Sequence, residues 1–289
     1  MTDPREAPGV PQAPLAQVLA THGPYWHHGI TQWRRNTRSI AAVLVVLAAG
    51  AMALHGPIPQ LAHYHAFADQ RRWLGIPHAA DVLSNLPFAI VAAWAAWRLA
   101  RGAGALGPAL DGYAVFVAAL ALTAAGSSYY HWAPDDARLV WDRLPIALAC
   151  AGLLGAFLAR TYPTAHSRAW LVALGGFAVA SVAWWARTGD LRPYLLLQGA
   201  PLVVIPLWQA AIGAPARERI AFGVAIALYA LAKVAELDDA AIFAATGFVS
   251  GHTLKHLLAA AAAAVIVAAS TQISTRAPSS TTRLVGIAK

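Results

Sequence analysis

Apolar runs close to twenty residues long recur along the chain at 39–55, 79–99, 112–131, 141–160, 168–187, 193–212, 219–236 and 250–270, separated by short polar segments. An α-helix rises ~1.5 Å per residue and the hydrocarbon core of a bilayer is ~30 Å thick, so each run predicts one transmembrane helix. None shows the strict alternation of a barrel strand. Alanine and glycine are spread through the runs, and small side chains let helix backbones approach closely in lipid. The pattern predicts an all-α fold, a polytopic membrane helix bundle.

Composition agrees, since 58% of the residues are hydrophobic and 12% charged. The mean hydropathy is +0.53, which excludes an ordinary soluble domain. A net charge of +8 could suggest nucleic acid, but the basic residues are scattered through short loops and form no run, so no nucleic-acid partner is expected. Their distribution instead predicts orientation. With a cytoplasmic N-terminus, one side collects Arg5, Arg34, Arg35, Arg38, Arg98, Arg101, Arg160, Arg168, Arg217, Arg219, Arg276, Arg283 and Lys289; the other collects Arg71, Arg72, Arg138, Arg187 and Arg192. The positive-inside rule then puts both termini in the cytoplasm of an inner or plasma membrane.

Residues 1–38 are polar and proline-rich without an apolar core, which predicts a cytoplasmic tail and no cleaved signal peptide. The Ser/Thr-rich stretch 271–289 predicts a disordered C-terminal tail. The one cysteine, Cys150, falls in mid-span and can form no intrachain disulfide.

Candidate chemistry concentrates in a few polar residues inside the runs. His252 and His256 are four apart, one helical turn, so both imidazoles face one side and can share a metal ion. His131 at the end of the third run is the candidate third ligand. Ser127 lies one turn before it, and Asp142 follows at the mouth of the next run. Ser84 and Asn85, near the start of the second run, join them at the same membrane depth under the predicted topology. Each has a plainer reading: a lone histidine as a helix–helix hydrogen bonder, Asp81 or Ser84 as a helix cap, Asp142 as a cap or a partner of Arg138 or Arg143, Lys233 and Glu236 as an ion pair near a helix end. Three histidines at one depth favour a metal, because ionisable groups inside spans are expensive and seldom idle.

The order Ser84-Asn85-Leu86, Ser127-x3-His131-x10-Asp142 and His252-x3-His256 resembles the alkaline ceramidase family, part of a superfamily of seven-helix membrane hydrolases that includes the adiponectin-type receptors. Asp142-Arg143-Leu144-Pro145 is similar to that family's Asp-x-Leu-Pro. The resemblance implies a seven-helix core plus one N-terminal transmembrane helix, with the extra helix at 39–55 and the core at 56–270. It implies that His131, His252 and His256 hold zinc with Ser127 and Asp142 beside it, and that the substrate is a ceramide-like N-acyl lipid cleaved to an amine and a fatty acid. One departure is that the eukaryotic members carry an acidic calcium-binding stretch before the core, whereas 63–71 here holds a single carboxylate, Asp69.

Under that implication zinc would activate water, Asp142 would carry the proton to the departing amine, and Ser127 would donate to the developing oxyanion. A zinc-containing lipid receptor without turnover is the alternative. A haem carrier fits less well, because haem normally takes one histidine from each facing helix.

Overall fold

The computed structural model describes residues 15–163 and 165–270. Its helices are α1 (Leu15–His55), α2 (Ala79–Leu83), α3 (Leu86–Gly102), α4 (Leu110–Trp132), α5 (Asp136–Thr161), α6 (Ser167–Thr188), α7 (Arg192–Ile212), α8 (Ala216–Leu237), α9 (Asp239–Thr246) and α10 (Gly251–Ser270). Among the described residues eight spans are long and apolar enough to cross a membrane, α2 and α3 together forming one of them. Among the described residues there is no strand, only an isolated bridge between Trp73 and Ile76. The protein is an all-α, multi-pass integral membrane protein. Large apolar side chains such as Val46, Leu54, Ile90, Val172 and Ile220 face outward, where a soluble protein would place polar groups.

The first helix is longer than the span it contains, Asn36–His55. α1 is helical from Leu15, so the segment expected to be a tail through residue 38 continues the span as a polar helix. Bonds one turn apart support it, Gln32 to Asn36 at 3.3 Å and the Thr37 hydroxyl to the Trp33 carbonyl at 2.8 Å. α1 packs chiefly on α7. The tail expected over 271–289 lies outside the described residues.

Two close approaches set the bundle's polar end. Gly126 of α4 lies against the Trp141 carbonyl of α5, and a Cβ at that position would overlap it. This contact brings the turn carrying Ser127 and His131 beside the turn carrying Asp142. Gly251, at the start of α10, lies in the same way against the Ala235 carbonyl and the Asp239 backbone, so α10 begins on the end of α8.

The loop between α1 and α2 folds over this end. His65 bonds the Tyr130 hydroxyl at 2.9 Å and Asp136 at 3.1 Å, and the Ala68 N–H donates to Asp239 at 2.9 Å. Buried Asp69 accepts from the Arg71 guanidinium, which also donates to the Phe248 carbonyl at 2.7 Å. Arg71 holds the Asp69 carboxyl below the usual carboxylate range. The tie therefore contributes its full stability above that ordinary range and loses it as pH falls through the lowered value.

Candidate metal centre and adjoining cavity

α10 presents its histidines from a firmly fixed N-terminus. Ser250 Oγ accepts from the Thr253 N–H at 3.0 Å, a helix cap, and Asp239 accepts from the His252 N–H at 2.7 Å. Asp81 accepts from the Thr253 hydroxyl at 2.6 Å, tying α2 to the same turn. The N-cap of the second span is His78 and neither Asp81 nor Ser84; Ser84 ends α2 as its C-cap residue, and both residues hold α10. At a break between α2 and α3 stands buried Ser84, whose hydroxyl donates to the Asp81 carbonyl at 2.9 Å and lies 2.7 Å from His256 Nδ1. Because that hydroxyl proton is already committed, Nδ1 of His256 is the donor and its Nε2 carries the lone pair.

The structure brings the three predicted histidines together. His131, His252 and His256 are buried, and one ligating nitrogen from each falls within 4.8 Å of the others. Nε2 of His131 and Nε2 of His252 are 3.2 Å apart, and Nε2 of His256 is buried with no hydrogen-bond partner. Tetrahedral Zn–N bonds of ~2.0–2.1 Å separate neighbouring nitrogens by ~3.3–3.4 Å, so the His131–His252 spacing matches two ligands of one ion and His256 is near enough to be a third. Phe67 from the covering loop closes one side, with ring centroids 4.7 Å from His131 and 4.4 Å from His252.

Lys255 is the one group that competes. Its Nζ lies 2.8 Å from Nε2 of His252 and 3.2 Å from Glu236. A metal and an ammonium cannot share one lone pair, so a loaded site needs Lys255 to rest on Glu236, which already holds it.

Beside the histidines is a cavity of about 790 Å³, within the usual size for a small-molecule or lipid-chain site. Ser127, Asp142, His252 and His256 line it; His131 does not, and stands behind them. Further from the histidines the wall is apolar, with Phe116, Leu120, Leu153, Phe222 and Ile266. Asp142 does not cap its helix and makes no ion pair among the described residues: α5 begins six residues earlier, with Asp135 as its cap, and Arg138 pairs with Asp135. Ser127 is buried and makes no described bond to a carbonyl one turn back.

Sequence reading missed Phe67 and Asp239, which come from connecting segments and reach the site only through tertiary folding. The expected ion pair of Lys233 and Glu236 near the end of α8 forms at 2.8 Å, but that both residues also line the cavity and share a network with Lys255 was not read from the sequence. The single polar residues inside apolar α8 were the available signal. Comparison of the chain with protein-family models, with curated proteins and with solved structures finds no match.

Proposed function

We propose that the protein is a zinc-dependent intramembrane amide hydrolase acting on ceramide-like N-acyl lipids. One observation carries the reading: two histidines of a converging buried three-histidine cluster, His252 and His256, line a largely apolar cavity that also receives Ser127 and the Asp142 carboxylate, which has no ion pair among the described residues. His131, His252 and His256 would hold the ion. Zinc bound there supplies a Lewis acid and makes its water acidic enough to ionise near pH ~7.

The chain's own residues supply the rest. The apolar wall takes the acyl chain and excludes water from it. Ser127 donates a hydrogen bond to the carbonyl oxygen as charge develops there. Asp142 accepts the proton of the attacking water and delivers it to the amine nitrogen, which leaves poorly unless protonated. A receptor holding zinc only for structure has no need of a free carboxylate beside the histidines. The test is release of free fatty acid by purified protein from N-acyl sphingoid lipids and simpler N-acyl amines. Failure on every member from mildly acidic to strongly alkaline pH, in protein that holds zinc, would replace the hydrolase by the receptor.

The site is proposed to face the outer side, on the basic-residue asymmetry of the loops. In intact cells an impermeant thiol reagent should label Asp135→Cys and spare Arg217→Cys; the reverse pattern would invert the orientation.

A further inference from the structure

Three basic residues line the cavity, Arg143, Lys233 and Lys255. Both lysines pair with Glu236. Arg143 differs, being 3% exposed with no ion pair among the described residues, and its buried Nη1 has no hydrogen-bond partner. The remaining acidic groups of the lining do not serve it. Asp239 accepts from the backbone of Ala68 and His252, and Asp142 is not within ion-pair reach of Arg143.

Aromatic rings surround the guanidinium. Its carbon lies 3.8 Å from the ring centre of Trp185, 5.1 Å from Tyr64 and 5.6 Å from Tyr194. Rings of this kind attract the faces of a cation and fix its plane, but they accept nothing from its N–H edge. What remains is a buried cation in the cavity lining with no counter-ion among the described residues, a group that pairs strongly with a carboxylate or phosphate.

Position tells which part of a lipid would meet it. Tyr64, whose ring the guanidinium faces, belongs to the loop that covers the polar end, the end of the bundle at which Asp142 is proposed to protonate the departing amine. The acyl chain lies toward the opposite, apolar wall. We infer that Arg143 recognises an oxyanion on the amine side of the substrate, so that the preferred substrate is an N-acyl amide with an anionic head group. This rests on reading the cavity as a lipid-amide site, but binding can be tested without turnover.

The experiment measures binding to detergent-purified, zinc-loaded protein by calorimetry with two matched pairs of one chain length. One pair is an uncleavable ether analogue of an N-acyl glycine against the same analogue ending in a neutral hydroxyl; the other is a fatty acid against its alcohol. The ether acid should bind about tenfold or more tightly than its neutral mate, the worth of a charged hydrogen-bonded pair. Arg143→Gln should abolish that preference, and Arg143→Lys, which keeps the charge and loses the fork, should reduce it.

No preference for the ether acid in wild type overturns the inference, whatever the variants do. So does a preference confined to the fatty acid, which would assign the anion to the product, or one that survives in folded Arg143→Gln. Acid release from neutral N-acyl lipids, measured on the same preparation, separates the two readings: cleavage without anion preference removes this inference and leaves the hydrolase.

Discussion

Asp142→Asn is expected to keep the fold and the bound metal while lowering amide hydrolysis by roughly 10²–10⁴-fold, the usual contribution of one positioned acid–base group. The expectation follows from where the carboxylate stands. It is 5% exposed, lines the cavity with His252 and His256, and lies outside the three-histidine cluster. Asparagine matches its size and removes only the ability to take and return a proton. Metal content by elemental analysis, helicity by circular dichroism and fatty-acid release would be followed together. A variant that hydrolyses at the wild-type rate would remove Asp142 from the chemistry. One that loses metal along with activity would make it a ligand.

The double variant His252→Ala/His256→Ala is expected to lose bound metal almost entirely and, with it, the response of thermal stability to added zinc. An ion bound only by the folded chain stabilises it by about 4 kcal/mol at a thousandfold excess over its dissociation constant. Shortening two buried side chains costs stability by itself, so the melting temperature alone does not decide. The decisive readout is the shift on adding zinc, expected upward in wild type and absent in the variant. Equal metal in both proteins would place the ion elsewhere.

The spans were legible because lipid demands nearly the same thing of every residue in a run. Eight runs read from hydropathy correspond to eight spans, and the ends differ where a local feature overrides composition. α5 starts at Asp136 because Asp135 caps it by accepting from the Arg138 N–H. α1 extends back to Leu15 through polar residues that lipid-based reasoning had set aside.

The histidine cluster was legible for a related reason. Polar residues inside apolar runs are few, and their depth follows from the span order. The side chains that hold and surround the cluster were less so. Ser84 was singled out, but its bond to His256 depends on a break between α2 and α3, and Asp239 reaches His252 from a separate short helix. A pairing with Arg143 was one of the plainer alternatives for Asp142. Neighbours on a helix point about 100° apart, and Arg143 turns into the aromatic cluster instead.

The most direct test of the central claim couples metal to turnover in one preparation. Purified protein would be stripped with a chelator and refilled stepwise with zinc while fatty-acid release from an N-acyl lipid and bound metal are both recorded. The account predicts that release disappears on stripping and returns in proportion to refilling, up to one ion per chain, and that the His252→Ala/His256→Ala variant regains neither. Release that persists at full rate after the metal is gone, or protein that binds one zinc per chain and cleaves no N-acyl lipid, would contradict it.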